Sequence, residues 1–369
     1  MDPGVIEEIA KADPPSSPDV HNLPSLSVLI PCRNEAQFIG ACLDSVISNG
    51  YPHDRMEILV VDGMSEDATR EVVRTYADTY PFVRLLENPR RITPCALNIG
   101  IAGARGDVVI RLDAHATYQP GYIERCVDAL DRYGADGSGG IWNVVPRNDG
   151  IVSRAVIAVM THRFGGAAQY RRAAGDEPQP VDLVPFFCCR RATLLRAGEF
   201  NEQLVRHQDF EYTVRLRRMG ARFVLVPRAV CNYYARTDLR SFFVHSFRDG
   251  MWVILAAARS KVLPFSPRHL TPLVFVAALV AGSIAAPFSS LAADALAAVA
   301  IAYVVATAGA AAQIALRERT AGLFLVAPPV FAGRHLMFGL GSLVGLIRIA
   351  GTPQLWRRLL GNRRPCTAS

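Results

Sequence analysis

The first third of the chain alternates short apolar runs with segments whose apolar residues recur at helical spacing. The apolar runs predict four strands, at 26–30, 57–61, 83–86 and 107–112. The helical spacing predicts helices between them, at 35–48, 67–79 and 94–104. Strands and helices that alternate with short links are typical of a mostly parallel sheet with helical crossovers, so we expect an α/β domain.

The pattern becomes looser after residue 115. It predicts further helices and strands, namely a helix over 120–133, a turn and strand over 134–142, a strand over 181–189, a helix over 209–219 and a final strand over 223–226. Segment 151–174 carries many arginines and is predicted to be amphipathic or mobile. No internal repeat is evident.

The last part of the chain has a different composition, because residues 271–350 are almost free of charge. Stretches 271–288 and 292–315 are long enough to cross a bilayer core, which needs ~20 apolar residues. Pro328-Pro329 and Arg334-His335 interrupt the third stretch, 321–350. Charges and prolines are poor features for a simple span, so we expect two crossings plus a re-entrant or paired-helix element, with a third full crossing as the alternative.

The flanking segments complete the predicted organisation. Residues 1–24 are polar and proline-rich, without the order of a secretion signal, and we expect a disordered leader before a domain at 25–238. Aromatic and basic residues alternate in 239–266, which favours a helix in a membrane interface over a core helix of the preceding domain. The basic tail, 351–369, is expected in the cytoplasm.

Charge and cysteine content narrow the possible partners. The 369 residues carry a net charge of +7, and much of the basic excess lies beside the apolar spans. This placement favours an anionic membrane surface, while no aromatic-basic motif supports nucleic-acid binding. None of the eight cysteines forms a CxxC pair, so a zinc or thioredoxin-like site has no support. We expect a multi-pass protein of the cytoplasmic (inner) membrane, with its first domain in the cytoplasm.

Polar side chains follow three of the predicted strands, where each strand ends. Pro31-Cys-Arg33-Asn-Glu35 follows the first strand, Asp62 ends the second, and Asp113 and His115 follow the fourth. Open α/β sheets bind their ligands at this carboxyl edge. Because residues i and i+2 of an extended chain point the same way, Asp113 and His115 are placed to aim two ligands at one ion.

These motifs together resemble one known family. The matching pieces are Ser27–Glu35, Val61–Asp67, Ala96–Gly100, Gly106–Asp113, and Gln208-Asp209 ahead of Arg215-Leu-Arg217. Over about residues 25–235 the chain resembles family 2 inverting glycosyltransferases, and it is most similar to the exopolysaccharide enzymes of the succinoglycan type, which also carry Asp-Ala-His. The resemblance implies a GT-A fold, Rossmann-like with a mostly parallel sheet, followed here by C-terminal membrane helices.

The resemblance also implies a binding site for a nucleotide-diphosphate sugar, most simply a uridine diphosphate sugar. Asp62 would meet the base, and Pro31, Arg33 and Glu35 would line the nucleoside pocket. Arg91, with Arg90, would reach the base or the phosphates; the alternative is a pair of solvated surface arginines. His245-Ser-Phe-Arg248 keeps only the arginine of a motif found in processive synthases, so Arg248 is expected at the diphosphate of a non-processive enzyme.

Asp113 is expected to ligate a divalent cation, Mn²⁺ or Mg²⁺, that neutralises the leaving diphosphate. His115 stands where a second Asp is commoner, and it either ligates the ion, for which imidazole favours Mn²⁺, or touches phosphate. Asp209 is the expected catalytic base, because the family's acidic pair is here Gln208-Asp209. Glu211 is the reserve candidate, and capping of the following helix is a second role open to Asp209.

We therefore expect a membrane-bound enzyme that adds one sugar to a lipid-linked or polysaccharide acceptor. The alternatives are transfer to polyprenyl phosphate itself and processive polymer synthesis. A non-catalytic membrane scaffold is a third possibility, although it would have no use for Asp62, Asp113 and Asp209 together. A nucleotidyltransferase would need a glycine-rich phosphate loop near residue 31, which the sequence lacks.

Overall fold

A computed structural model of the chain describes residues 23–166, 176–184, 186–260 and 267–350. The described residues fall into two units, the first formed by 23–147 with the described part of 176–235. The second unit is formed by 148–166, 236–260 and 267–350. Apart from its last two residues, the expected leader lies outside the described residues, and so does the expected basic tail.

The described part of the first unit is built on one sheet. Its strands are β1 (Leu26–Cys32), β2 (Met56–Asp62), β3 (Val83–Glu87), β4 (Val108–Arg111), β5 (Ala116–Tyr118), β6 (Gly137–Pro146), β7 (Gln179–Pro180), β8 (Cys188–Arg190) and β9 (Phe223–Ala235). They lie in the order β3-β2-β1-β4-β8-β6-β9-β5, with β7 paired to β9. The four strands from β3 to β4 are parallel, and β6 pairs β9 in parallel, whereas β5, β7 and β8 run antiparallel to their neighbours.

The helices of the described residues are divided between the two units. In chain order they are α1 (Ile39–Ile47), α2 (Thr69–Thr79), α3 (Thr93–Gly103), α4 (Tyr122–Arg132), α5 (Ile151–Thr161), α6 (Arg191–Ala197), α7 (Gln208–Arg218), α8 (Leu239–Arg259), α9 (Thr271–Ala285), α10 (Ser290–Arg317) and α11 (Gly322–Ala350). The arrangement confirms the predicted α/β class with a mostly parallel sheet.

Alternation along β1 explains why helices cover both faces of the sheet. Val28 and Ile30 are buried in one apolar core, and Leu29 is buried in another. Helices α1, α2 and α4 contribute to the first core, while α3, α6 and α7 contribute to the second. A strand buried on both faces needs continuous apolar sequence, which is the pattern of 26–30.

The strand extents after residue 115 differ from the prediction. The strand expected over 181–189 is replaced by the short β7 and β8, and β9 runs well past 226, through Pro227. The register of β6 against β9 jumps there, from Gly140–Val226 to Ile141–Val230. Proline has no N–H for a strand ladder, so it stands where the ladder is interrupted, and the strand then continues.

The second unit is helical and has its own apolar cores. Segment 151–174 was expected to be amphipathic or mobile; within it α5 is a helix that packs against α10 and α11, while 167–174 lie outside the described residues. Helices α8 and α11 cross closely, because a Cβ at Gly250 would strike the Phe338 carbonyl and one at Gly341 would strike the Phe247 carbonyl. Because α8 belongs to the second unit, the alternative interpretation of α8 as a core helix of the sheet domain is disfavoured.

Among the described residues, three stretches are long and apolar enough to cross a membrane, at Thr271–Phe288, Ser290–Arg317 and Gly322–Ala350. They indicate that the protein associates with a membrane. The interruption expected in the third stretch is wrong, since α11 continues through Pro328 and Pro329. Neighbouring groups satisfy its polar residues: His335 contacts the Tyr303 hydroxyl at 2.9 Å and the Phe164 carbonyl at 2.9 Å.

Candidate active site

The loops that follow β1 and β2 are fastened to each other. Asn34 has a left-handed backbone, with φ of 54°, and its N–H donates to the Ser65 hydroxyl at 2.8 Å. Its side-chain oxygen accepts from the Glu66 N–H at 2.9 Å. Asparagine is one of the few residues that adopt this conformation at little cost. These hydrogen bonds join the two loops. We call Arg33, Asp62, Ser65 and Glu66, together with Arg91 from the loop after β3, the β1–β2 corner.

Asp62 is the buried member of the β1–β2 corner, with 0 % of its surface exposed. Its carboxylate accepts from the Ser65 N–H at 3.0 Å and also from the Ser65 hydroxyl. The Arg70 Nε atom lies 3.8 Å away. Through these contacts Asp62 shapes the loop. A contact with a nucleobase would require the Asp62 carboxylate to release Ser65.

The arginines of the β1–β2 corner are exposed. Arg33 and Arg91 lie 3.8 Å and 3.5 Å from the Glu66 carboxylate, and their side chains are 41 % and 49 % exposed. Arg90 instead pairs with Glu202, on the loop that leads to α7. Pro31, at the end of β1, is partly exposed. Arg33 and Arg91 are thus accessible to an anionic ligand.

A second cluster, Arg111, Asp113, His115 and Asp209, lies where β4 ends, and we call it the β4 corner. Arg111 donates to the Asp113 carboxylate at 2.6 Å and to the Asp209 carboxylate at 3.0 Å. Burial lowers the pKa of the Arg111 guanidinium. The two carboxylates raise that pKa by more than burial lowers it, so it lies above its usual value. One permanently charged group therefore links the predicted metal ligand to the predicted base.

His115 is held through both ring nitrogens. Its Nδ1 lies 3.3 Å from the Glu35 carboxylate, and its Nε2 lies 3.0 Å from the Tyr233 hydroxyl. Glu35, predicted to line the nucleoside pocket, is thus buried against the imidazole of the β4 corner. A carboxylate on one ring nitrogen is the usual support for a histidine whose other nitrogen binds a metal.

Asp209 occupies the first turn of α7, with its side chain 36 % exposed. Its Oδ2 accepts from Arg111, but its buried Oδ1 has no hydrogen-bond partner among the described residues. Glu211, the reserve candidate, is buried and pairs with Arg215 at 3.2 Å. Of the two acids, Asp209 has the more exposed side chain, and its Oδ1 is not engaged by a donor among the described residues.

The possible ligand atoms at the β4 corner suit a hard or borderline divalent cation. Asp113 offers carboxylate oxygen and His115 offers imidazole nitrogen, whereas burial raises the pKa of the nearby Cys42 thiol and keeps it protonated. In the described part of the chain, no three His, Cys, Asp or Glu side chains are grouped to hold an ion. Such an ion would therefore need substrate phosphate oxygens to complete its coordination, as Mg²⁺ commonly does.

The structure also identifies residues that the sequence motifs left without a role. Arg111, Tyr233 and Arg70 each contact a predicted site residue directly. The sequence could have pointed to Arg111, because it is a charged residue within an apolar strand, two positions before Asp113. Arg248, expected at the diphosphate, is an exposed residue of α8 in the second unit.

The sequence of the chain is also similar to those of known proteins. The model of the family "Glycosyl transferase family 2" matches residues 27–196, just under half of the chain. The succinoglycan biosynthesis protein ExoA of Rhizobium meliloti is 28 % identical over 270 residues, covering 72 % of this chain and 80 % of the relative. The dolichyl N-acetyl-alpha-D-glucosaminyl phosphate 3-beta-D-2,3-diacetamido-2,3-dideoxy-beta-D-glucuronosyltransferase of Methanococcus voltae is 26 % identical over 234 residues, covering 61 % and 71 %.

A solved structure resembles the fold. The mannosyltransferase PcManGT of Pyrobaculum calidifontis, in complex with GDP-Man and Mn²⁺, superposes with a TM-score of 0.60 at 22 % identity, covering 92 % of each chain. This likeness confirms the expected GT-A architecture with C-terminal helices.

Proposed function

We propose that this chain, a family 2 glycosyltransferase, moves one sugar from a nucleotide-diphosphate sugar to a lipid-linked saccharide, with inversion at the sugar carbon. The observation that carries the proposal is the β4 corner. There a carboxylate and an imidazole suited to a cation lie beside an acid, Asp209, with one unpartnered oxygen. Membership of this family argues against the non-catalytic scaffold.

The donor's diphosphate is proposed to bind between the two corners of the sheet edge. Arg33 and Arg91 are accessible, and their partner among the described residues is the exposed Glu66, so an anionic group can draw them away. Pro31 and Asp62 would border the nucleoside, Asp62 after releasing Ser65. The predicted role of Arg248 at the diphosphate stays a prediction. A uridine nucleotide is the proposed donor class.

Asp113 and His115 are proposed to hold a divalent cation, Mn²⁺ or Mg²⁺. When bound, such an ion neutralises charge that develops on the leaving diphosphate. The solved mannosyltransferase carries Mn²⁺ with its nucleotide sugar, which supports this part of the proposal. His115 would keep Glu35 on Nδ1 and exchange the Tyr233 hydroxyl at Nε2 for the ion.

Asp209 is the proposed base. Its Oδ1 would accept the proton of the acceptor hydroxyl as that oxygen attacks the sugar carbon, and the diphosphate would leave from the opposite face. The bond from sugar to diphosphate breaks as the new glycosidic bond forms. Because Arg111 holds Oδ2, Oδ1 keeps a fixed direction before the acceptor arrives.

The names of two relatives support the proposed class of acceptor. One curated relative is named for transfer to a dolichyl-linked sugar phosphate, and the other for succinoglycan biosynthesis. Three helices able to cross a membrane would keep the site beside lipid-linked acceptors. We propose a multi-pass protein of the inner membrane, with the sheet domain in the cytoplasm.

The test uses the full chain in detergent. Uridine and guanosine diphosphate sugars are screened for protection against thermal unfolding, with and without Mn²⁺, and each protecting sugar is then supplied in radiolabelled form with membrane lipid extract. We expect one uridine nucleotide sugar to protect only with the cation and to label the lipid fraction. Protection that is equal without any cation would refute the metal assignment, and absence of labelled lipid would refute the acceptor class.

A further inference from the structure

Arg111 is a buried cation whose contact with the predicted metal ligand, Asp113, has no role in the proposed transfer. It lies at the end of the apolar strand β4, and its side chain is only 11 % exposed. It is held by two carboxylates, Asp113 at 2.6 Å and Asp209 at 3.0 Å. Burying a charge is costly unless it is paired, so these two ion pairs are strongly favoured.

The surroundings of Arg111 restrict it to these two partners. Its guanidinium lies 5.4 Å from the centre of the Phe186 ring, and its Nε is buried without a hydrogen-bond partner among the described residues. Arg111 occupies Oδ1 of the Asp113 carboxylate, so a cation on Asp113 would share this carboxylate with Arg111 or displace it. Because two positive charges a few ångströms apart repel each other, Arg111 and the ion compete for Asp113.

We propose that Arg111 holds the place of the cation before the donor binds, and that it afterwards stays on Asp209 alone to orient the base. This inference rests on the proposed function, and it makes Arg111 a positioning residue. The arrangement also puts one positive charge between the predicted metal ligand and the predicted base, two carboxylates that would otherwise repel each other. Cation binding and base orientation would then be coupled through one side chain.

The proposal predicts opposite effects on two measurements. Arg111→Gln removes the competing charge, so Mn²⁺ without nucleotide should bind about 10-fold more tightly in titration calorimetry. The same change releases the base, so transfer at saturating donor should fall about 100-fold. Arg111→Lys keeps the charge but lacks the planar fork that spans two carboxylates, so its Mn²⁺ affinity should stay near that of the unaltered chain while transfer still falls.

Several outcomes would overturn the inference. A residue that merely supported the metal site would weaken Mn²⁺ binding by about 10- to 100-fold when replaced, the opposite sign. Full activity of Arg111→Lys would show that bridging is unnecessary, and this variant keeps the test decisive if Arg111→Gln does not fold. If the unaltered chain binds Mn²⁺ but transfers no sugar, the proposed function fails, whereas the Mn²⁺ titrations still decide the competition.

Discussion

The two corners of the sheet edge carry similar charges but hold them differently. At the β4 corner the guanidinium of Arg111 is mostly buried and pairs at 2.6 Å and 3.0 Å. At the β1–β2 corner Arg33 and Arg91 are about half exposed and lie 3.8 Å and 3.5 Å from one carboxylate. Breaking a buried pair costs about 3–5 kcal/mol, whereas an exposed pair contributes about 0–1 kcal/mol.

This difference separates a preorganised site from an adaptable one. The β4 corner has its geometry before any ligand binds, which suits groups that must meet the reacting atoms. The exposed arginines of the β1–β2 corner lose little when they turn toward an anion. Asp62 is the exception within that corner, because it is buried and bonded to Ser65. We expect mutations at the β4 corner to affect chemistry and those at the β1–β2 corner to affect donor binding or stability.

The largest effect should follow from Asp209→Asn. The amide cannot act as a base, so turnover should fall about 1,000-fold while protection by the nucleotide sugar is kept. Radiolabel transfer measures the first quantity and thermal unfolding with donor measures the second. Glu211→Gln is the matched control on the same helix, and its turnover should stay near that of the unaltered chain. A large loss with Glu211→Gln and none with Asp209→Asn would move the base to Glu211.

The second-largest effect should follow from Asp113→Asn, which removes the proposed metal ligand. Replacing groups around a metal's ligands costs about 10- to 100-fold in affinity, so Asp113→Asn should weaken Mn²⁺-dependent donor binding by about 100-fold. Titration calorimetry with the nucleotide and Mn²⁺ measures this. Exposed Glu71 on α2 offers a control, since Glu71→Gln removes one negative charge elsewhere. Equal affinities for Asp113→Asn and the control would exclude Asp113 as a ligand.

Sequence patterns predicted the parallel half of the sheet well, because its strands are buried on both faces and its helices alternate with them. The run 26–30 corresponds to β1, and 57–61 corresponds to β2. Later strands were less predictable. Segment 181–189 is mostly apolar, yet among its described residues only those of β8, Cys188–Arg190, form a strand. Strand β9 continues past a proline that local preference treats as an end. Long-range pairing, which sequence periodicity does not report, determines both.

The site was predictable as a set of acids but not as a network. The strand alternation from which Asp113 and His115 were expected to face one side does not extend to them, because β4 ends at Arg111 and His115 lies in a turn. Asp209, the second partner of Arg111, is 98 residues away from it. Tyr233 comes from β9 and reaches His115 only through antiparallel pairing with β5. Such contacts depend on topology, and for that reason the sequence motifs predicted candidate ligands but not the side chains that contact them.

Asp62→Asn should affect stability within the β1–β2 corner. Its buried carboxylate accepts two hydrogen bonds from Ser65 and faces Arg70, so losing the charge should destabilise the fold by about 2 kcal/mol. The shift of the thermal unfolding midpoint in detergent checks this. Asp67→Asn in the same loop, an exposed carboxylate that accepts the Ala36 N–H, provides a comparison and should shift the midpoint less. An Asp62→Asn midpoint equal to that of the unaltered chain would show that the loop does not depend on this carboxylate.

The smallest effect should come from Arg91→Gln. Arg91 is about half exposed and only weakly paired with Glu66, so the unfolding midpoint should not move. If Arg91 meets the diphosphate, one charge-assisted hydrogen bond is lost and donor affinity should fall about 10-fold. Glu66→Gln breaks the same ion pair from its other side and should leave donor affinity unchanged or higher, because it frees both arginines. Equal losses of affinity in the two variants would mean that the pair only supports the loop, and the β1–β2 corner would then resemble the β4 corner in needing fixed geometry.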